Sequence, residues 1–150
     1  MISIKKVLVP TDFSEHSDKA VRYGADLAAK FGGELHLLHV FETTPIMYGE
    51  GAGIPESAAE MKAAAVEKLD GVQVDALEEC PVVRKVMQGN AFVETVRYAK
   101  DNTIDLLVMG AHGRGAIAHM LLGSVAEQVV RKAPCPVLIV RDEQHHFVLP

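Results

Sequence analysis

Residues 6–40 of the chain, KVLVPTDFSEHSDKAVRYGADLAAKFGGELHLLHV, predict the fold. The run at 6–10 is typical of a buried strand, because aliphatic residues follow one another and end at a proline. Residues 14–31 predict a helix, with Ser14 as its N-cap and a pair of glycines as its stop. Residues 34–40 predict a second strand, so the segment is a βαβ unit.

Strand-like and helical stretches go on alternating to residue 140. This alternation predicts an α/β fold, an open five-stranded parallel sheet of order 3-2-1-4-5 with helices on both faces. Gly71 leaves two interpretations open, since it either ends the second helix or lies within a longer one. A loop at about 41–55 and a frayed tail at about 142–150 complete a single predicted domain over 1–150. The further helices are predicted over 56–69, from Asn90 to about Asn102, and from Met120 or Ser124 to Lys132, and the further strands over 82–87, 104–109 and Val137–Val140.

Composition and charge exclude several classes of protein. The chain has 150 residues, with 15 Lys and Arg against 20 Asp and Glu, and its net charge is −5. This acidic balance and the lack of Trp argue against a nucleic-acid partner, which prefers basic and aromatic surfaces. No uncharged run approaches the roughly 20 residues of a membrane span. Cys80 and Cys135 form no disulfide framework, so we expect a soluble protein of the reducing cytoplasm.

The segment after the fourth strand, GAHGRGAIAHMLLGSV at 110–125, has the features of a phosphate site. In a sheet of this order, ligands bind beyond the carboxyl ends of strands 1 and 4, where the strand order reverses. Several glycines let the backbone approach a ligand, and Arg114 adds a positive charge. The helix that begins near Ser124 offers free amides and a positive dipole end to an anion. The alternative is that the glycines only mark a turn.

Two better-known phosphate motifs do not fit this chain. The Walker A pattern needs a Gly-Lys pair, and the sequence contains none. A dinucleotide fingerprint matches only as Gly113-x-Gly115-x-x-Ala118. That match follows the fourth strand rather than the first, and no acidic residue ends a strand about 20 positions later. Hydride chemistry is therefore not expected.

Two polar residues each have two interpretations. Asp12 follows the first strand, where its carboxylate can accept hydrogen bonds from a ribose or an adenine amino group. It is also an alternative cap for the helix that begins near Ser14. Ser124-x-x-Glu127 has the pattern of a capping box, which would occupy the serine hydroxyl, although the remaining helix amides could still meet a phosphate.

The histidines and carboxylates do not predict a catalytic site. His36 and His39 are three apart on one strand, so they face opposite sides of the sheet and do not share a metal. His112 has no triad partner that the sequence places beside it, which favours a ligand contact over a general base. No carboxylate pair is placed to activate water on a phosphate, so a dedicated ATPase is not expected.

With the glycine-rich segment after the fourth strand and the turn after the first strand, the chain resembles the universal stress protein family. Gly110-x-x-Gly113, then nine residues and Gly123-Ser124, matches the ATP-binding signature of that family. The stretch VLVPTDFSEHS looks like its first strand–helix turn, and SVAEQVVRKAPCPVLIVR looks like its last helix and strand. The likeness covers nearly the whole chain and is weakest from 41 to 80.

This resemblance implies an adenine nucleotide α-hydrolase-like fold and a set of site residues. Gly115 departs from the family pattern, because many relatives carry a side chain there. Pro10, Thr11, Asp12 and Val40 would line the adenine and ribose pocket, Met109, Gly110, His112, Gly113, Arg114 and Gly115 would surround the ribose and phosphates, and Gly123, Ser124 and Val125 would close on the phosphates.

The resemblance further implies a homodimer that responds to ATP as a regulatory protein of the stress response. Its interface would be the apolar last strand, Val137, Leu138, Ile139 and Val140, an edge strand that needs covering. Mg²⁺ or Mn²⁺ would arrive with the nucleotide, held by the phosphates. Two alternatives stay open. One is an interaction or chaperone-like dimer with an unused nucleotide site, and the other is a slow ATP hydrolase that depends on His112 or Asp12.

Overall fold

A computed structural model describes residues 1–43, 57–75, 80–113 and 122–141. The predicted tail at 142–150 and most of the predicted loop at 41–55 lie outside these ranges. No helix within them is long and apolar enough to cross a membrane. The elements, in chain order, are β1 (Lys6–Pro10), α1 (Glu15–Phe31), β2 (Glu34–Phe41), α2 (Ala58–Asp70), β3 (Val82–Gln88), α3 (Ala91–Asp101), β4 (Leu106–Gly110), α4 (Ser124–Lys132) and β5 (Val137–Val140).

The strands form one parallel sheet of order β3-β2-β1-β4-β5, which confirms the predicted topology. β1 lies at its centre, pairing with β2 on one side and with β4 on the other. From β1, the strands β2 and β3 follow on one side of the sheet, and β4 and β5 follow on the other side. The carboxyl ends of β1 and β4 therefore meet at the reversal point.

The sheet is covered on both faces, which explains the continuous apolar runs of its central strands. Val7 and Val9 of β1 point into a core shared with α1 and α2. Leu8 between them points into a second core, which Ala99 of α3 and Val129 of α4 complete from the opposite face. All three β1 side chains are fully buried.

Helix α1 lies unusually close to the sheet because Gly24 faces β1. A Cβ added at Gly24 would lie 2.3 Å from Cγ2 of Val9, well inside van der Waals contact. The helix ends at Gly32, which adopts the left-handed conformation at φ 62 that a helix stop requires. Gly24 thus allows α1 to pack closely on β1, whereas Gly32 ends the helix.

Helix α2 ends at Gly71, so the interpretation in which this glycine stops the helix is confirmed. This residue is the C-cap, and its N–H donates to the Glu67 carbonyl oxygen. Arg84 of β3 reaches across and donates to the carbonyl oxygens of Leu69 at 2.6 Å and Val72 at 3.1 Å. A guanidinium at this position satisfies free carbonyl groups and complements the negative end of the helix.

Strand β4 begins two residues later than predicted, because Ile104 belongs to the stop of α3. The Ile104 N–H donates to the Ala99 carbonyl oxygen at 2.9 Å, and the Thr103 N–H donates to that of Lys100 at 3.2 Å. This pair of bonds is a Schellman motif, and Thr103 takes the left-handed conformation at φ 50 that it demands. Ile104 is buried as the apolar part of that motif rather than as a strand residue.

Candidate functional site

A cleft of about 600 Å³ opens at the carboxyl ends of β1 and β4. Parallel sheets bind ligands at this position because the loops that follow the two strands run to opposite faces. Of the predicted nucleotide-binding residues, Arg114 and Gly115 lie outside the described ranges, and all the others line the cleft. Those that line it are Pro10, Thr11, Asp12, Val40, Met109, Gly110, His112, Gly113, Gly123, Ser124 and Val125.

Asp12 is held in the turn between β1 and α1 by hydrogen bonds from Ser14. Its Oδ1 accepts from the Ser14 N–H at 3.0 Å and from the Ser14 hydroxyl. Ser14 Oγ in turn accepts from the Ser17 N–H at 3.3 Å, so Ser14 is the N-cap of α1. The alternative in which Asp12 caps this helix is therefore wrong, and the Asp12 side chain borders the cleft instead.

Two buried hydroxyls stiffen the same turn. The Ser17 hydroxyl donates to the Ser14 carbonyl oxygen at 2.9 Å, so Thr11 Oγ1, 3.0 Å away, donates to Ser17 Oγ. Thr11 Oγ1 also accepts from the Phe13 N–H at 3.1 Å. These bonds accompany a left-handed backbone at Phe13, φ 64, which residues other than glycine rarely adopt. The backbone on either side of Asp12 is thus preorganised.

The glycines after β4 bring the backbone close to Asp12 and to the start of α4. A Cβ added at Gly113 would lie 2.9 Å from Asp12 Oδ2, so a larger residue would displace the carboxylate. The Gly123 N–H donates to the Ala111 carbonyl oxygen at 2.7 Å, which ties the start of α4 to the end of β4. Gly113 and Gly123 therefore border the cleft at the same end.

Helix α4 begins at the cleft, and among the described residues no side chain caps it. Its N-cap is Gly123, and Ser124 is the first helical residue rather than the cap. The predicted capping box of Ser124 and Glu127 is therefore wrong, because the residue in the N-cap position has no side-chain oxygen. Glu127 instead pairs with Arg131 at 3.1 Å, one turn further along. Ser124 lines the cleft with a hydroxyl that capping does not use.

The start of α3 borders the other end of the cleft, beside β2, and it is already capped. Asn90 Oδ1 accepts from the Val93 N–H at 3.2 Å. Glu42 Oε1 accepts from the Ala91 N–H at 3.3 Å. Side-chain oxygens, one of them charged, thus offset the positive end of this helix. An anion is therefore favoured at the α4 end of the cleft over the α3 end.

Sequence reasoning missed part of the cleft wall. Leu38 lies two positions before Val40 on β2 and so shares its face, which the alternation of a strand could have revealed. Ser17 and Thr95 are buried in helices, and no motif marks them. The lining residues that were not predicted are Ser17, Leu38, Glu42, Ala91, Thr95 and Ala126.

The histidines of the described ranges lie in three separate surroundings. His112 meets His16 edge to face, with ring centroids 6.0 Å apart. The His112 Nδ1 is buried and has no hydrogen-bond partner among the described residues, so no described carboxylate orients this ring as it would a general base. His36 lies 2.8 Å from the Tyr98 hydroxyl on one face of the sheet, whereas His39 contacts the turn after β1 on the other.

Two groups outside the cleft, the Glu34 carboxyl and the Cys135 thiol, have shifted pKa values. Glu34 accepts a hydrogen bond from His36, and this bond holds the pKa of the Glu34 carboxyl below its usual value. Burial, reinforced by the negative charge of Asp105, raises the pKa of the Cys135 thiol. A raised pKa disfavours the thiolate, and the Cys135 side chain packs against the core beneath α3 and α4.

Residues 3–141 match the model of the universal stress protein family. The chain is 33% identical over 139 residues to a universal stress protein of Methanocaldococcus jannaschii, an alignment that covers 91% of this chain and 82% of that protein.

Solved structures share the fold. The universal stress protein UspA from Lactobacillus plantarum, 24% identical, superposes with a TM-score of 0.71 over 93% of this chain and 99% of that one. A universal stress protein crystallised in complex with cAMP is 25% identical and superposes with a TM-score of 0.67, over 92% of this chain and 97% of that one.

Proposed function

The chain belongs to the universal stress protein family, and from this premise we propose that it binds ATP in the cleft between β1 and β4. The observation that carries the proposal is the start of α4, which no side chain of the described ranges caps and where Gly123 and Ser124 border the cleft. A helix start of this kind binds anions through its free N–H groups and its positive dipole end. The solved relative in complex with cAMP supports an adenine nucleotide as the ligand.

The nucleotide lies across the sheet with its phosphates at α4 and its base at the β2–α3 end. Leu38 and Val40 line that end with aliphatic surface, which suits the faces of a purine. The Glu42 carboxylate at the start of α3 repels phosphates there. Asp12, between the two ends, is placed to accept hydrogen bonds from ribose hydroxyls.

A divalent cation in this cleft depends on the nucleotide. The described ranges contain no group of three or more His, Cys, Asp or Glu side chains that could hold a metal ion. Asp12 supplies one carboxylate beside the proposed phosphate position. Mg²⁺ or Mn²⁺ prefers oxygen ligands, so the phosphates would provide most of them.

Native mass spectrometry of the chain purified without added nucleotide tests the proposal. The expected result is a dimer that carries about one ATP mass per chain, or that acquires it in millimolar Mg-ATP. Retained ATP, rather than ADP, would also show that any hydrolysis is slow. A protein that stays empty in millimolar Mg-ATP contradicts the proposal and favours the interaction-only dimer.

We further propose that the chain is a homodimer through β5 and that nucleotide occupancy changes its partner surface. β5 is an edge strand of the sheet, and Leu138 on it is 37% exposed. Val140 at its end pairs with Gly110, the first residue of the glycine-rich segment 110–125, which we call the glycine loop. A dimer that covers β5 therefore lies next to the proposed phosphate position, which would couple nucleotide occupancy to the interface.

Leu138→Asp is expected to convert the dimer to a monomer while ATP affinity stays within about twofold of wild type. In the dimer, the new carboxylate would be buried without a partner for its charge, which disfavours association. Leu138 is a better target than Ile139, because Ile139 also packs against the core beneath α3 and α4. Size-exclusion chromatography with light scattering measures the change.

Val83→Asp is the matched control for this change. Val83 is also 37% exposed, but it lies on β3, at the other edge of the sheet. We expect it to leave the dimer intact. A Leu138→Asp protein that remains dimeric, or a Val83→Asp protein that dissociates, would show that β5 is not the interface.

A further inference from the structure

Thr95 is a polar side chain buried in the wall of the cleft. It lies on α3, one turn after Ala91, and both residues line the cleft at the end beside β2. Thr95 is only 1% exposed. Its hydroxyl takes part in none of the hydrogen bonds among the described residues.

The described part of the fold does not use the Thr95 hydroxyl as a donor or an acceptor to another residue. Buried hydroxyls almost always have a hydrogen-bond partner, and a valine of the same shape would remove the need for one. The buried Thr11 hydroxyl in the same cleft donates to Ser17 Oγ at 3.0 Å, and the Ser17 hydroxyl donates to the Ser14 carbonyl oxygen. Thr95 has no such described partner, so its hydroxyl is suited to a group that enters the cleft.

The position of Thr95 determines which part of a nucleotide it can meet. The phosphates are favoured at the uncapped start of α4, whereas Thr95 belongs to α3, whose start is capped by Asn90 and Glu42. Leu38 and Val40 beside it offer only aliphatic side chains. These contact the faces of any base equally well and do not distinguish its edges.

We propose that the Thr95 hydroxyl hydrogen-bonds the edge of the adenine base and is a specificity-determining residue of the cleft. The inference rests on the proposed function, which provides the nucleotide and its orientation. A hydroxyl both donates and accepts, and the adenine edge offers an amino donor and ring-nitrogen acceptors. A site with a buried hydrogen-bonding group rejects ligands that leave this group unpaired.

The test compares Thr95→Val and Thr95→Ser by calorimetric titration with ATP and with inorganic tripolyphosphate, which has no base. Thr95→Val is expected to weaken ATP binding roughly five- to tenfold, the effect of one lost hydrogen bond. Thr95→Ser keeps the hydroxyl and is expected to stay within about twofold of wild type. Tripolyphosphate affinity is expected to be the same in all three proteins.

Thr103→Val is the matched control, because it makes the same chemical change at an exposed residue beyond the other end of α3. It should leave ATP affinity unchanged. A thermal melt of each nucleotide-free variant checks folding, and Thr95→Val is expected to melt at or above the wild-type temperature because it breaks no described hydrogen bond.

The possible outcomes separate this inference from the proposed function. If wild type binds ATP and Thr95→Val binds it equally well, the role of Thr95 is refuted while the nucleotide site stands. An equal loss of tripolyphosphate binding in Thr95→Val also refutes it, since the effect would not involve the base. A wild-type chain that binds no ATP overturns both proposals.

Discussion

Gly113→Val lowers the affinity for ATP by roughly a hundredfold and leaves the chain folded. The added Cβ lies 2.9 Å from Asp12 Oδ2, so the carboxylate must leave the position where Ser14 holds it. The two further methyl groups enter the cleft that Gly113 lines. Overpacking costs about 1–3 kcal/mol, and about 2.8 kcal/mol corresponds to a hundredfold change in affinity. Calorimetric titration with Mg-ATP measures the loss, and circular dichroism confirms the fold.

Alanine substitutions provide the graded control. Gly113→Ala retains the contact with Asp12 but adds no further methyl groups, so we expect an intermediate loss, roughly tenfold. Gly71→Ala makes the same change outside the cleft, where the added Cβ meets the Lys68 carbonyl oxygen at an ordinary 3.4 Å. It should leave ATP affinity unchanged. Wild-type affinity in Gly113→Val would refute the assignment of the glycine loop to the phosphates.

Gly24→Ala destabilises the fold, although alanine is the better helix former. Helix propensity alone predicts a gain of about 1 kcal/mol from this change in a helix interior. The added Cβ would instead lie 2.3 Å from Cγ2 of the fully buried Val9, so α1 must move away from β1. Overpacking of this kind costs about 1–3 kcal/mol, which lowers the melting temperature by roughly 2–10 °C. Differential scanning calorimetry measures the shift.

A second substitution tests the physical cause. Val9→Ala removes the methyl groups that the new Cβ would meet, so it should destabilise the Gly24→Ala protein less than it destabilises wild type. The double-mutant cycle gives this coupling as a deviation from additivity. A Gly24→Ala protein that melts above wild type would show that propensity outweighs the close packing of α1.

The sequence determined most of the fold because its signals are local. The bounds of β1 and β5 match the predictions, and Ser14 and Asn90 cap α1 and α3 as expected. Caps, glycine stops and aliphatic runs depend on residues within one turn or one strand, so they are visible along the chain. The alternation of these elements then predicts a parallel sheet with helices on both faces.

Only the tertiary structure decided how the cleft is built. Ser124 has the spacing of a capping box. However, the hydrogen bond between Gly123 and Ala111 places Gly123 at the N-cap, so Ser124 is the first residue of the helix. In the sequence, Thr95 does not differ from other polar residues of a helix. Only the packing of α3 beside β2 buries it in the cleft wall. Periodicity tells which residues face inward but not what they face. That depends on contacts between elements far apart in sequence, which this chain forms only when the sheet is assembled.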